Sequence, residues 1–383
     1  MKSNIPVLCI VSKALAPYRV SFYNEVAIAL EAAGWKVVLI VAKLGANDHP
    51  WANASGNSSH LEIIEASPSE FQNTLTKKLP FNPVLPNRKL FGILDSKNPK
   101  VVWTHEYSPF CLAAAFWASF NERLCLLSSD LGSNPPEHSC TRTQLAYQKF
   151  VSFLYQGVIA QTMEATRRDH PADAPINFAP HAINTDDYHP PENERAGIFR
   201  FLFAAGVREE KGIKQLVQAA RKLRTEGYEF ELRVVGTGPL SGWLAGQKEE
   251  WLSIAGFLEG DFLRSEYRDA NAYVLPTAGD TYAVTVHEAT ASGLPVIVGN
   301  TAGAVETLVE EGVTGFSIDA DNVDELAERM KYLMDDRERC RTMGRAARKL
   351  AEKYDVKLLG RRTASFIREL SGSGPQVESN SDR

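Results

Sequence analysis

The chain has 383 residues, 44% of them hydrophobic and 23% charged, which is ordinary for a globular protein and long enough for two sizeable cores. A formal net charge of −5 leaves no basic footprint for nucleic acid, and no recognition-helix or zinc-finger pattern is present. No apolar run reaches about 18 residues, Met1–Pro6 lacks a signal peptide's charged start and apolar core, and Cys9, Cys111, Cys125, Cys140 and Cys340 lie outside CxxC spacing, which argues against a membrane span, secretion, a disulfide framework and a zinc site.

A cytoplasmic protein is therefore expected. Along the chain, β-prone apolar runs alternate with helical stretches, the pattern of a doubly wound α/β protein with parallel sheets. Val7–Val11 reads as a buried strand, a helix spans about Tyr18 to Ala33 and stops at Gly34, and Lys36–Val41 is the next strand. The polar stretch from Gly45 to Pro86 yields no assignment. Lys77, Lys78, Arg88 and Lys89, interleaved with Phe81, Leu90 and Phe91, read first as a solvated helix face, with weak peripheral contact to an anionic membrane as the alternative. Val101–Trp103, Leu124–Leu127 and Gly157–Ala160 continue the strands of a first domain spanning 1–180.

Residues 181–198, acid-rich and following Pro175 and Pro180 with Pro190 and Pro191 inside them, read as a linker. The alternation then restarts with the strand Phe201–Phe203, the helix Ile213–Thr225 and the strand Glu231–Val235, the mark of a second α/β domain over 199–355. Val323–Leu370 is almost wholly helical, and 371–383 is a Ser/Gly/Asn-rich tail expected to be disordered.

The most informative stretch is Pro276–Pro295, PTAGDTYAVTVHEATASGLP. The strand Ala272–Pro276 leads through a small-residue turn into a helix from about Ala283 to Ser292, closed by Gly293 and Pro295. Peptide N–H groups of Thr281, Tyr282, Ala283 and Val284 would lack intrahelical partners, which makes an anion site. Asp280 on the loop and Glu288 two turns into the helix add two carboxylates for hydroxyl groups. A nucleotide sugar meets both demands.

Arg208 and Lys211, in Gly206-Val-Arg-Glu-Glu-Lys211-Gly212, follow a strand and precede a helix, where open α/β sheets bind ligands and two cations suit a diphosphate. Val235-Gly236-Thr-Gly238-Pro239 repeats the strand-to-glycine turn but lacks the third glycine of a dinucleotide fingerprint. His105 stands at a strand exit in Val102-Trp-Thr-His105-Glu106, and Arg19 at the first strand-to-helix loop. Asp319-Ala-Asp321 imitates an Asp-x-Asp metal motif, but its place before a helix near Val323 makes it a capping loop, and no metal is expected.

These motifs resemble the retaining family 4 glycosyltransferases. Pro276–Pro295 is similar to that family's Glu-x7-Glu region, with Asp280 for the first Glu. The resemblance implies a GT-B fold, two Rossmann-like domains facing across a cleft, with the donor in the second, the acceptor in the first, and a last helix near 356–370 crossing back. It also implies that Glu288 holds the nucleotide ribose, that Asp280 contacts the donor sugar, that His105 lies near the reacting sugar and that Lys211 meets the phosphates. The Gly206–Gly212 run resembles the family's phosphate loop with Gly206 where its Arg stands, leaving Arg208 to supply the guanidinium; the Gly236 turn resembles its nucleotide-side turn. Gly303-Ala-Val-Glu306 is similar to its Gly-Gly-x-x-Glu turn. Ala283 stands where the family has glycine, so negative φ is expected there.

The function implied is metal-independent sugar transfer, with retention, from a nucleotide sugar to a glycan or lipid-linked acceptor hydroxyl in polysaccharide or glycoconjugate synthesis. A catalytically silent nucleotide-sugar-binding or scaffold protein, or another GT-B enzyme such as an epimerase or phosphorylase, is compatible with the same residues.

Overall fold

A computed structural model of the chain describes residues 5–13, 17–42, 60–66, 87–105, 107–129, 142–163, 165, 173–190 and 197–373. The described residues fall into two units. One holds those up to His181 together with those from Val356 onward, and the other holds Ala182–Asp355.

The first unit is built on a parallel sheet of β1 (Val7–Ser12), β2 (Lys36–Val41), β3 (Glu62–Glu65), β4 (Val101–His105), β5 (Leu124–Ser129), β6 (Gly157–Ala160) and β7 (Ile176–Phe178). Its strand order is β3-β2-β1-β4-β5-β6-β7. The central strands are near-continuous runs of Val, Leu and Ile because both faces are covered. Trp103 on β4 and Tyr23 on the Pro17–Glu31 helix are wholly buried and meet edge to face at 5.2 Å. The last helix, Val356–Leu370, lies against the Pro17–Glu31 helix, where a Cβ on Gly360 would come within 2.6 Å of Glu25 Cβ. Asn177 Nδ2 donates to Thr363 Oγ1 at 2.9 Å, tying that helix to β7.

The second unit repeats the plan with β8 (Phe199–Ala204), β9 (Phe230–Val235), β10 (Leu252–Gly256), β11 (Ala272–Leu275), β12 (Val296–Gly299) and β13 (Gly315–Ile318), in the order β10-β9-β8-β11-β12-β13. β8 begins two residues before the expected Phe201. Arg200 interrupts the apolar run there, and the strand tolerates it because its guanidinium pairs with Glu231 on β9 at 2.8 Å. The amphipathic helix Ile213–Thr225 buries Ile213, Leu216, Val217, Ala220 and Leu223.

Several expectations change. Of the 181–198 run read as a linker, His181 groups with the first unit and the described residues from Ala182 with the second, where the backbone N–H and hydroxyl of Thr185 both donate to Asp355, at 3.0 and 2.8 Å. Part of the unassigned polar stretch forms β3. Arg88 and Lys89 are exposed at the start of the Arg88–Lys97 helix, whose Leu90 is buried, so that apolar residue faces the core. Lys77, Lys78, Phe81, Glu106, Cys140 and the tail from 374 lie outside the described residues. Cys9, Cys111, Cys125 and Cys340 are buried, and burial holds the Cys9 thiol up at about 12.

Candidate functional site

In the second sheet the strand order reverses between β8 and β11, the place where open parallel sheets open a crevice beyond their carboxyl ends. The loop after β8 carries Arg208 and Lys211, and the loop after β11 carries Asp280. Gly212 locks the two loops together. It sits at φ 73°, and a Cβ there would be 1.9 Å from the carbonyl oxygen of Pro276, so only glycine permits the approach. Across the same seam Thr277 Oγ1 and the N–H of Ala278 both donate to the Glu210 carbonyl, each at 2.9 Å. The turn after β9 joins them: Gly236, at φ 129°, would place a Cβ 2.0 Å from the Ala205 carbonyl oxygen.

Lys211 Nζ donates to Asp280 Oδ2 at 2.5 Å and lies 3.5 Å from the Gly279 carbonyl oxygen. The other carboxylate oxygen, Oδ1, accepts the N–H groups of Tyr282 and Ala283 at 3.2 and 2.7 Å. This corrects the picture of an open anion site. Two of the four N–H groups expected to await phosphate are already satisfied by Asp280, which closes the turn leading into the Val284–Ala291 helix. Tyr282 has its ring in the core, with its hydroxyl 3.2 Å from Thr307 Oγ1, while Thr281 is exposed and Val284 half-buried.

The expectation at Ala283 fails outright. Its φ is 69° and its ψ 68°, the left-handed region that alanine ordinarily avoids. Hydrogen bonds on both sides impose this: the Asp280 carboxylate holds the Ala283 N–H, and the preceding Tyr282 carbonyl accepts from the N–H of Ala304 at 2.7 Å. Gly303, part of the same turn, would clash through a Cβ with the Thr281 carbonyl oxygen at 2.2 Å.

Arg208 is exposed and folds back over Gly206, where a Cβ would meet Arg208 Nε at 3.4 Å. Its side chain thus runs alongside position 206 at van der Waals distance. Glu288 faces two tyrosines that sequence reasoning missed. Tyr188 donates to one carboxylate oxygen at 2.9 Å and Tyr267 to the other at 2.7 Å, with their rings 6.0 Å apart, edge to face. Burial raises the Glu288 carboxyl above its ordinary range, against the lowering effect of the two hydroxyls and of Arg264. Tyr188 belongs to the run read as a linker, and Arg348 fixes that run by donating to the Thr185, Tyr188 and Ala291 carbonyls. The usable signal was a tyrosine set among prolines and acids, too weak alone to choose contact over exposure.

In the first unit His105 ends β4, beside β1, at that sheet's own reversal point. It is 1% exposed, and Tyr23 Oη stands 3.0 Å from its Nδ1. Burial first, then the positive fields of Arg19 and His181, push its pKa well below the ordinary value, so the ring is neutral at pH 7. Arg19, half-buried on the Pro17–Glu31 helix, contributes that field.

The Asp319 carboxylate accepts the N–H of Asp321 at 3.1 Å, within a loop whose Asn322 caps the Val323–Asp335 helix. Among the described residues, no group of three or more His, Cys, Asp or Glu is arranged to hold a metal ion, and no helix is long and apolar enough to cross a membrane.

The family described as "Glycosyl transferases group 1" matches residues 184–350, the segment that contains every loop of this second site. Over that segment the chain is similar to the glycosyl transferases group 1 family. It is 29% identical over 150 residues to the sulfoquinovosyl transferase of Arabidopsis thaliana, covering 38% of this chain and 29% of that protein. Over 218 residues it is 28% identical to the GDP-mannose-dependent alpha-(1-6)-phosphatidylinositol monomannoside mannosyltransferase of Mycobacterium tuberculosis, covering 51% of this chain and 56% of the relative. The matched stretch thus spans less than two thirds of either relative. Among solved structures, the sucrose-phosphate synthase of Thermosynechococcus elongatus superposes with a TM-score of 0.74 at 17% identity, over 96% of this chain and 100% of that one. The Anabaena HepE complex with UDP-glucose gives 0.68 at 15% identity, over 95% and 99%. The fold of this chain is GT-B.

Proposed function

We propose that the protein is a retaining glycosyltransferase that moves a sugar from a nucleotide-sugar donor to the hydroxyl of a glycan or lipid acceptor. The observation that carries this reading is the meeting of Lys211 and Asp280, from two different loops, at the reversal point of the second sheet within the family-matched segment. Loops locked by backbone contacts place a cation without further ordering, which is what stabilising a departing diphosphate requires. Lys211 meets the developing charge as a point cation, and Arg208, folded over Gly206, adds a planar fork of donors. Glu288 takes the ribose hydroxyls, Asp280 the donor sugar, and His105 the reacting sugar as a neutral hydrogen-bonding group. The leaving phosphate accepts the acceptor's proton on the same face, which accounts for retention.

The names of the relatives make UDP-glucose and GDP-mannose the first donors to try. A cytoplasmic location goes with this reading, and a lipid acceptor would bring the protein to the inner face of the membrane. Calorimetry with UDP and GDP, followed by transfer assays with their sugar conjugates, tests it. Binding and turnover of at least one donor are expected, with the product anomer matching the donor's. A protein that binds neither diphosphate and turns over no nucleotide sugar sinks the proposal. Turnover is also expected to persist in EDTA, since Lys211 and Arg208 supply the positive charge; loss restored by Mg²⁺ would turn attention to Asp319 and Asp321.

A further inference from the structure

Every oxygen of the Asp280 carboxylate is engaged by the protein itself. Oδ1 accepts two backbone N–H groups at 3.2 and 2.7 Å, and Oδ2 accepts the Lys211 ammonium at 2.5 Å. The pair is partly buried, with side-chain exposures of 19% for Lys211 and 23% for Asp280. An aspartate stem is short enough to bend its carboxylate back to N–H groups two and three residues on, the geometry of an Asx turn. A residue so held is not extended toward a sugar. The opposing cation is equally fixed, because Gly212 and the Glu210 carbonyl tie the Lys211 loop to the backbone of Pro276 through Ala278.

We infer that Asp280 is an internal anion that occupies Lys211 until the donor diphosphate displaces it. This rests on the proposed function, for which Lys211 is the diphosphate cation. A diphosphate carries more charge than one carboxylate and presents several acceptor oxygens, so it outcompetes Asp280 for the ammonium. Exchange at Lys211 frees Asp280 Oδ2 while Oδ1 stays on the Tyr282 and Ala283 N–H groups. The arrival of phosphate thereby releases one carboxylate oxygen toward the hydroxyls of the attached sugar. A ligand without a diphosphate leaves the pair closed.

Asp280→Asn tests this, because the amide oxygen can still accept the Tyr282 and Ala283 N–H groups while the charge on Lys211's partner is gone. Calorimetry with UDP and with GDP on the full chain should show about fivefold tighter binding of the accepted diphosphate in Asp280→Asn, the scale of a partly exposed ion pair. That gain should vanish when Asp280→Asn is added to Lys211→Ala, with urea unfolding confirming that each variant folds. Unchanged or weaker binding in Asp280→Asn, with wild type binding normally, overturns the inference and leaves the proposed function standing. If neither wild type nor Asp280→Asn binds UDP or GDP, the proposed function fails and takes the inference with it.

Discussion

Both sheets reverse their strand order at their first strand, β1 against β4 in one and β8 against β11 in the other, and the two reversal points are furnished in opposite ways. The first holds a desolvated imidazole, His105, under the edges of Tyr23, which itself packs on Trp103. The second holds charges at the rim of water: Arg208 is exposed, and the Lys211–Asp280 pair is partly so. One topology therefore delivers two kinds of electrostatics. A buried aromatic shell removes charge from a titratable ring, whereas backbone-locked loops keep charge and fix its position.

The largest effect should come from breaking the lock that holds the second site. Gly212→Ala forces a Cβ into the space 1.9 Å from the Pro276 carbonyl oxygen at a left-handed backbone position, so the loops must part. A loss of about 3 kcal/mol or more is expected by urea unfolding, together with loss of diphosphate binding. A variant of wild-type stability would show that the two loops are not rigidly joined. No position around His105 should show such dependence on a missing Cβ.

Removing the cation without disturbing the lock comes next. Lys211→Ala should weaken diphosphate affinity by about tenfold, the cost of one charge-assisted hydrogen bond, and slow turnover by more, since charge builds on the leaving group in the transition state. His105→Ala should leave diphosphate affinity near wild type and depress turnover alone. Equal losses of diphosphate affinity in both variants would erase the contrast between the sites.

The contrast also predicts opposite pH signatures. His105 has a lowered pKa in the fold, so the unfolded chain binds more protons below about pH 6.5, and stability falls with pH from there. Glu288 has a raised pKa, so the folded chain binds more protons and its contribution is lost as pH rises from about 4.5 through the folded value. At neutral pH the ionised form of Glu288 thus favours folding less than its protonated form does. His105→Asn should flatten the acid limb of a stability–pH curve by up to about 1.4 kcal/mol per pH unit. Glu288→Gln should raise the melting temperature at pH 7 by about 2 °C while weakening nucleotide binding. A Glu288→Gln protein that is less stable at pH 7 would mean that the carboxylate's two tyrosine hydrogen bonds outweigh its burial.

How much of this was legible depended on whether local chemistry or tertiary contact set the outcome. Strands buried on both faces are apolar runs, so Lys36–Val41 and Gly157–Ala160 could be read to the residue. Strand ends carrying polar residues could not: Arg200, Thr104 and Ser129 lie inside strands because each finds shelter or a partner there. Lys211 and Gly212 announced themselves through strand–loop–helix order. The turn closed by Asp280 was hidden, because a carboxylate four residues before a helix can face solvent, ligand or backbone equally well. Tyr188 was hidden for another reason. Its contact with Glu288 depends on Arg348 and Asp355, far along the chain, pinning a proline-rich run that local rules read as a linker.

Ala283 offers the smallest effect and the finest test of the second site's rigidity. Alanine at φ 69° bears about 1 kcal/mol of strain that glycine would not, while glycine in the unfolded chain forfeits a similar amount in conformational entropy. Ala283→Gly should therefore change global stability by less than about 0.5 kcal/mol in urea, since the two terms nearly cancel. The site itself should respond more clearly. The methyl group limits the turn that presents the Ala283 N–H to Asp280 Oδ1 at 2.7 Å, and glycine opens conformations in which that bond is not made. Amide hydrogen exchange at positions 282 and 283 should accelerate in Ala283→Gly, with the rest of the second sheet unchanged. Stabilisation of more than about 1 kcal/mol would mean that the strain is real and unrelieved by its neighbours. Unchanged exchange would mean that the hydrogen bonds from Asp280 and Ala304, rather than the alanine, hold the helix start in place.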